Sequence, residues 1–430
     1  MAHDIEVEIE RFIDAARHYQ QCLDLATQNQ QDNNTEEVLV SNLQGSRRTL
    51  LENIARWKNL VSTPTEHWEQ TTINFCAESS LRWLLEFNIP ALVPEDDQTT
   101  ITYRDLAAAA GVPEQELCRI LRFAMTQGLF DEPTPNRVAH TPYSLAFSRN
   151  EDYRQVVLLQ TGFFAPMMKS LYEAVKSSEA AKGRSAFNLA METDDPFYAY
   201  VSKHPELTKR FGAGMRFVSS AEDTSPQFLS DGFDWARLGK AHVVDVSILE
   251  FEPISACVMV GGSMGHVSAS LAKTFPLLHF TVQDLPAMVA RAKASPSASL
   301  SQLEFVEHDF FQSQPEASRQ ADVFLLRLVL NNWPTSKCRE ILSQIAAAMK
   351  PSAKVVINNF LLHDRGTLGK RTEALERARD LFQMAAMNGM ERDVQEWHEL
   401  IDGVDGLDIE KVVPQVGGKQ VLVVARKSAQ

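Results

Sequence analysis

Residues 322–330 read DVFLLRLVL, and Asn331-Asn332-Trp333 follow directly. A short apolar run that ends in polar residues is typical of a buried strand in a parallel sheet. Five further apolar runs share this pattern and are separated by helix-like segments. They lie at 242–246, 278–284, 303–309, 353–362 and 420–426. The alternation predicts an α/β domain with a doubly wound sheet over 231–430.

The charge balance and the cysteines narrow the class of protein. The chain has 430 residues, with 42 Lys and Arg against 56 Asp and Glu, and a net charge of -14. This charge disfavours binding to nucleic acid and to anionic membranes. The five cysteines are scattered without a C-x-x-C pair, which favours a reducing, cytoplasmic setting and no metal site. The N-terminus lacks a signal-peptide pattern, and no apolar run of about 18 residues predicts a membrane span.

The first 65 residues have a helical pattern. Apolar residues recur at helical spacing in 5–16 and in 38–57, so the sequence predicts two helices within 1–65. A helical hairpin cannot bury both of its faces alone, which favours packing on a second copy of the chain. Packing within the same chain is the alternative. We therefore expect dimerisation helices and a homodimer.

Residues 66–150 combine helices, a turn at Gly111 and a hairpin-like segment, which predicts a winged-helix domain. Its second helix carries Glu114 and Glu116 beside two arginines, so it is not a basic recognition surface, and we expect no DNA binding. The helical segment 151–230 that follows is rich in Phe and Met. Its Phe163, Met167 and Met215 are candidates for the wall of a substrate pocket, and core packing is the alternative.

The segment Gly261-Gly262-Ser263-Met264-Gly265-His266 precedes a helix, and Asp284 ends the next apolar run about 20 residues later. Together with Asp309-Phe310-Phe311 and the run ending in Asn331-Asn332-Trp333, these motifs resemble those of S-adenosylmethionine-dependent O-methyltransferases of the plant caffeic-acid type, in their fungal branch. The resemblance covers nearly the whole chain. It implies a Rossmann-like methyltransferase domain, a dimerising N-terminal region and a set of cofactor-binding residues. That set is Gly261, Gly262, Asp284, Asp309, Phe310 and Arg327.

The chain departs from this family where the acceptor hydroxyl is deprotonated. The resemblance places the family's catalytic His-Asp pair at Asn331 and Asn332, and a glutamate at Asn359. An amide has no pKa near working pH and cannot act as a general base. The segment N-G-x-E-R, which supplies a further acidic residue in the family, retains Glu391. We therefore expect no ordinary methyl transfer.

The cofactor motif also departs from the family. Without residues 247–260, the sequence would read HVVDVGGSMGH and would closely match the family motif. The insertion either loops out or replaces the strand that leads into the glycines. Both arrangements weaken cofactor binding. We therefore expect S-adenosylmethionine to be bound weakly, or bound and not consumed.

Lys337 follows the Asn pair at the expected start of a helix, where a cation can polarise a substrate carbonyl. A solvated surface lysine is the equal alternative. With amides at residues 331, 332 and 359, the chain resembles fungal O-methyltransferase-like pericyclases. That resemblance implies a hydrophobic polyketide-peptide substrate, a pyridone alcohol that is dehydrated to a quinone methide and then cyclises by an Alder-ene or hetero-Diels-Alder reaction.

Two other functions remain open from the sequence. The first is an S-adenosylmethionine-dependent O-methyltransferase that uses another base, such as His140 with help from Glu391. The second is a winged-helix regulator that binds a small molecule without catalysis. The retained Asp284 and Asp309 favour the first of these, and the acidic recognition helix disfavours the second.

Overall fold

The computed structural model describes residues 2–28, 33–96, 99–219, 227–246, 265–415 and 418–428. The chain forms two compact units. The first contains residues 1–74 and 363–379, and the second contains residues 75–362 and 380–430. None of the helices in these described ranges is long and apolar enough to cross a membrane.

The first unit is built on two long helices, α1 (Ala2–Gln28) and α2 (Asn33–Val61), as the apolar spacing predicts. The two helices are held together at Glu8. Its backbone carbonyl accepts a hydrogen bond from the Trp57 indole at 3.1 Å, and its carboxylate pairs with Arg56 at 2.6 Å. The unit also contains the start of α3 (Pro64–Glu86) and the first part of α18 (Lys370–Met387). The expected dimer contact of α1 and α2 stays a prediction.

Residues 75–150 form the winged-helix part of the second unit. A three-stranded sheet in the order β1-β3-β2 accompanies short helices, and Gly111 ends one of them at a φ of 67°, which glycine adopts without strain. Leu106, Leu117 and Leu121 are fully buried in its core. The elements are α4 (Ile89–Leu92), β1 (Ile101–Thr102), α5 (Tyr103–Ala110), α6 (Glu114–Met125), β2 (Asp131–Thr134), β3 (Arg137–Ala139) and α7 (Pro142–Arg149).

Residues 151–219 and 227–232 are largely helical, and the helices of 151–219 contribute to a core rich in aromatic rings. A π-helix over Gln160–Phe164 interrupts the first of these helices. Such insertions widen a helix by one residue per turn and are frequent near functional sites. The helices are α8 (Glu151–Leu159), α9 (Ala165–Lys169), α10 (Leu171–Lys176), α11 (Ala186–Ala190), α12 (Phe197–Lys203), α13 (Pro205–Ser219) and α14 (Gln227–Gly232).

The rest of the second unit is a seven-stranded sheet in the order β6-β5-β4-β7-β8-β10-β9. The five strands β4 to β8 are parallel, and β10 runs antiparallel between β8 and β9. Each face of the sheet carries its own apolar core. The strands are β4 (Ala241–Val246), β5 (Leu278–Asp284), β6 (Leu303–Glu307), β7 (Val323–Arg327), β8 (Lys354–Phe360), β9 (Leu407–Pro414) and β10 (Gln420–Lys427).

Four helices pack with this sheet or link its strands: α15 (His266–Thr274), α16 (Pro286–Lys293), α17 (Thr335–Ala348) and α19 (Val394–Asp402). This arrangement confirms the predicted doubly wound α/β domain with winged-helix and helical N-terminal regions. The edge strand β9 was not anticipated. The strand order also reverses between β4 and β7, and in such sheets ligands bind beyond the carboxyl ends of the strands at this point.

Candidate functional site

The Asn pair lies at the carboxyl end of β7. After Arg327 the chain turns through Leu328, whose φ of 53° is strained for a branched side chain, and enters a 3-10 turn over Leu330–Asn332. The amide of Leu328 is fixed by the Asn358 carbonyl at 2.9 Å. Asn331 and Asn332 are buried, with 4% and 8% of their surface exposed. The turn therefore holds both amides inside the protein.

A second segment, residues 389–392, packs directly on this turn. The amide of Met390 donates to the Asn331 carbonyl at 3.0 Å. The guanidinium of Arg392, fully buried, donates to the carbonyl oxygens of Leu330 at 2.9 Å and of Trp333 at 3.3 Å. The two bonds from Arg392 reach the residues directly before and after the Asn pair. Sequence reasoning missed Arg392, although it directly follows Glu391 in the N-G-x-E-R segment.

Asn359 and Glu391 meet the same edge of the sheet. Asn359 lies near the end of β8, and Leu361, two residues later, forms a parallel bridge with Arg392. Glu391 is 1% exposed, and its amide donates to the Asp380 carboxylate at 2.9 Å. The backbone contacts thus bring together the segments of Asn331, Asn332, Asn359 and Glu391, as the resemblance implies for their counterparts.

Two amide atoms in this group lack a protein partner. The side-chain oxygen of Asn331 and the side-chain nitrogen of Asn359 are buried and make no hydrogen bond within the described residues. Asn359 uses its other polar atom, the side-chain oxygen, to accept from the Phe360 amide at 3.0 Å. Buried polar atoms normally find a partner, so one acceptor and one donor are available here to a ligand.

Lys337 lies in the first turn of α17, as expected, but its side chain is half exposed. Its ammonium pairs with Glu340 at 2.7 Å and sits 5.1 Å from the centre of the Phe311 ring. That ring packs edge-on against Trp333 at 4.9 Å, directly after the Asn pair. The structure therefore places the cation beside the site on an aromatic wall and not in an enclosed pocket. Its catalytic role stays a prediction.

The candidate wall residues of the helical segment share one cluster. Phe163 is 6% exposed, Met167 is fully buried, and Met215 packs against the same core. The cluster includes residues of the second half of α18, where Phe382 contacts the Phe164 ring edge-on at 4.0 Å. Phe163 and Met167 thus pack as core residues, and the role of all three as pocket wall stays a prediction.

The carboxyl ends of β5 and β6 carry two carboxylates. Asp284 is fully buried and accepts from the Leu285 amide at 2.7 Å, and Asp309 accepts from the Phe311 amide at 2.9 Å. Nearby, the ring nitrogen Nε2 of His308 is buried without a hydrogen bond in the described part of the chain. Burial lowers the pKa of His308, so the ring is neutral at pH 7.

These groups fit the nucleoside end of S-adenosylmethionine, because carboxylates can accept from ribose hydroxyls and an exocyclic amine. Phe310, 1% exposed, adds an apolar wall. Gly261 and Gly262, and the insertion 247–260, lie outside the described residues. Arg327, the last of the expected cofactor-binding residues, ends β7. Burial lowers its pKa, and the carboxylate of Asp245 opposes this shift. The cofactor contacts of these residues stay predictions.

His140, the alternative base, is engaged elsewhere. It lies in the winged-helix part, where one ring nitrogen meets the Ser144 hydroxyl at 2.9 Å and the other meets the Val93 carbonyl at 3.2 Å. The ring also stacks on Phe130 at 5.5 Å. Burial lowers the pKa of His140. Both ring nitrogens therefore have structural partners.

Comparison with known proteins identifies the family. An O-methyltransferase domain matches residues 198–405, and an O-methyltransferase dimerisation domain matches residues 69–150. The O-methyltransferase VdtC of Byssochlamys spectabilis is 38% identical over 387 residues, which cover 88% of this chain and 85% of VdtC. The chain belongs to the O-methyltransferase family. Its dimerisation domain supports a homodimer.

Two solved structures, those of OxaC and of LepI, share this fold. OxaC superposes with a TM-score of 0.72 at 20% identity, covering 99% of this chain and 100% of OxaC. LepI in complex with SAM superposes with a TM-score of 0.68 at 18% identity, covering 96% of this chain and 98% of LepI. At these identities the likeness shows the fold.

Proposed function

We propose that the protein is a pericyclase on an O-methyltransferase scaffold. Its substrate would be a hydrophobic pyridone alcohol of polyketide-peptide type, which loses water to give a quinone methide and then closes a ring by an Alder-ene or hetero-Diels-Alder reaction. The observation that carries the proposal is the pair of buried amides, Asn331 and Asn359, at the positions that resemble the family's base and its supporting carboxylate.

The amides disfavour base chemistry at residues 331 and 359. Methyl transfer to a hydroxyl needs a group that takes the proton, and neither amide titrates near pH 7. Cyclisation of a quinone methide takes up no external proton, because its bonds form in one concerted rearrangement. What the reaction needs is a folded substrate and a polarised carbonyl. Holding the reacting ends together can remove several kcal/mol of the barrier.

The two unpartnered atoms fit these needs. The side-chain nitrogen of Asn359 can donate to a pyridone carbonyl, which withdraws electron density from the quinone methide. The side-chain oxygen of Asn331 can accept from a substrate hydroxyl and orient it. Lys337 would add a positive field from the aromatic wall. The cluster of Phe163, Met167 and Met215 would border the apolar part of the substrate.

Dehydration must precede the ring closure. In that step the carbon–oxygen bond of the alcohol breaks and releases hydroxide. The pyridone hydroxyl loses its proton, and the hydroxide and the proton leave together as water. Of the four residues at the sheet edge, three are asparagines and the fourth, Glu391, has a titratable side chain. We assign to Glu391 the hydrogen bond to the pyridone hydroxyl. S-adenosylmethionine, when bound at Asp284 and Asp309, supplies a sulfonium centre and a methyl group. The proposal uses neither.

The decisive experiment incubates the full-length protein with a pyridone alcohol, with and without S-adenosylmethionine, and follows the products by mass spectrometry. We expect a product lighter by one water in both samples. A product heavier by one methylene, formed only with S-adenosylmethionine, would overturn the proposal. Asn331→Ala and Asn359→Ala should slow the reaction or change the product ratio. Asn150→Ala, which removes the N-terminal cap of α8, is the control for general destabilisation.

Methyl transfer is the second candidate, favoured by the family of the chain and by the retained Asp284 and Asp309. It would require a base other than the three amides. Since both nitrogens of His140 are occupied, Glu391 would have to serve. Glu391→Gln would then abolish methylation, whereas a pericyclase should keep the ring closure of a preformed quinone methide.

A further inference from the structure

The chain between β8 and α19 passes from the second unit into the first and back again. Its part in the first unit, residues 363–379, is called the excursion. Residues 363–379 belong to the first unit, whereas residues up to 362 and from 380 onward belong to the second. The helix α18 is continuous across this boundary. Its first turns therefore lie in one unit, and its last turns, with Phe382 and Met387, lie in the other beside the candidate site.

Both ends of the excursion are tied to the segment that carries Glu391. Where it begins, the amide of Leu362 donates to the Arg392 carbonyl at 3.0 Å. Where it ends, the Asp380 carboxylate accepts from the Glu391 amide at 2.9 Å. A displacement of α18 along its axis would therefore strain the bond between Asp380 and the Glu391 amide.

The start of α18 is held by one carboxylate of α2. Glu52 accepts from the amides of Arg371 at 2.8 Å and Thr372 at 2.7 Å, and from the Thr372 hydroxyl at 2.6 Å. Burial would raise the pKa of Glu52, but the hydrogen bonds from Thr372 and Arg371 outweigh it and lower the pKa. The carboxylate is thus ionised at pH 7 and faces the positive end of the helix dipole. This is an N-terminal cap supplied by a residue more than 300 positions earlier in the chain.

The excursion is also fastened internally by hydrogen bonds. The buried Glu376 accepts from the amide of His363 at 3.2 Å and from its ring at 3.1 Å. The guanidinium of Arg377 donates to the His363 carbonyl at 2.8 Å. These bonds join the first residue of the excursion to the middle of α18. These contacts favour transmission of a change at the cap along the helix over its loss in the loop.

We propose that Glu52 is a positioning residue for the candidate site, acting through α18 and Asp380 on Glu391. The N-terminal hairpin would then have a catalytic consequence besides any role in dimerisation. The importance of Glu391 for turnover rests on the proposed function. The mechanical link from Glu52 to residues 380–391 does not depend on it, and it can be measured without substrate.

The test is hydrogen–deuterium exchange on the full-length protein. Glu52→Ala should speed exchange of the amides at 380–391 about fivefold, the equivalent of one lost helix cap of ~1 kcal/mol. Glu52→Gln, which keeps one acceptor oxygen, should give a smaller increase. The matched control is Glu66→Ala, because Glu66 makes the comparable capping bonds to Thr63 at the start of α3, at 2.7 and 2.8 Å. It should leave residues 380–391 unchanged.

Exchange that rises only at 370–376 in Glu52→Ala, or an equal effect of Glu66→Ala, would overturn the proposal. If Glu52→Ala does not fold, Thr372→Val removes the hydroxyl bond alone and should speed exchange at 380–391 about twofold; no change would also overturn it. With a substrate in hand, Glu52→Ala should raise KM more than it lowers kcat. Unchanged KM alongside altered exchange would contradict the role of Glu391 and leave the mechanical link standing.

Discussion

The substitution Gly389→Ala tests how segment 389–392 packs on the turn that carries Asn331 and Asn332. A Cβ atom at residue 389 would lie 2.9 Å from the carbonyl carbon of Asn332 and 3.1 Å from its Cα, and would overlap the Asn331 carbonyl oxygen. These neighbours are backbone atoms in a buried turn, so they cannot rotate away. The 389–392 segment must shift, and the hydrogen bond from Met390 to Asn331 is lost.

The expected loss in the free energy of unfolding is about 1–3.5 kcal/mol. Overpacking of this kind costs about 1–3 kcal/mol, and the lost hydrogen bond about 1 kcal/mol. The smaller entropy of the unfolded alanine chain returns about 0.4–1 kcal/mol. Urea denaturation measures the difference, with Gly45→Ala as control, since no atom lies within 4 Å of a Cβ there. The control should be stabilised by about 0.5–1 kcal/mol. Equal stability of Gly389→Ala and the parent protein would refute the packing argument.

Three further predictions concern the site and the winged-helix part. The double substitution Asn331→His with Asn332→Asp should give detectable methyl transfer if the cofactor binds. Labelled S-adenosylmethionine measures the transfer. A variant that binds the cofactor and stays inactive would show that more than the base is missing. Lys337→Ala and Lys337→Met should both slow cyclisation about tenfold, the scale of a charge-assisted hydrogen bond. The stability should change little, because the ion pair of Lys337 with Glu340 is exposed. Rates and product ratios equal to those of the parent protein would make Lys337 a surface lysine. Hydrogen bonds from Arg122 and Tyr103 lower the pKa of Glu132 from 4.5 to about 2, so its contribution to stability is present above pH 4.5 and lost as the pH falls toward 2. Glu132→Gln should flatten the pH dependence of the unfolding free energy over that range, and an unchanged slope would contradict the assignment.

The sheet could be predicted from the sequence because its strands are buried on both faces. The run at 322–330 is apolar apart from Asp322 and Arg327, and the strand Val323–Arg327 lies within it. The strand Leu407–Pro414 escaped this reasoning. It is an edge strand with Asp408, Glu410 and Lys411, and its pairing has a bulge against β10. Charged side chains on a half-exposed edge dilute the apolar signal.

The candidate site was predictable where it depends on position in the chain. The family resemblance pairs the positions of Asn331 and Asn359, and the structure shows that the strands leading to them, β7 and β8, are parallel neighbours. Side-chain direction could not be predicted in this way. Lys337 occupies the expected helical turn, yet its ammonium pairs with Glu340 at 2.7 Å. Nor does any local pattern reveal that Glu52 caps a helix beginning at Lys370, because that contact joins residues far apart in sequence.

The backbone contacts around residue 331 have an evolutionary consequence. The turn is held through the carbonyl oxygens of Leu330, Asn331 and Trp333, which every amino acid carries, while the side chain of residue 331 contributes none of these bonds. The identity of this side chain can therefore drift without loss of the fold. A lineage could exchange imidazole for amide at this position, or amide for imidazole, in a single step that leaves the protein folded.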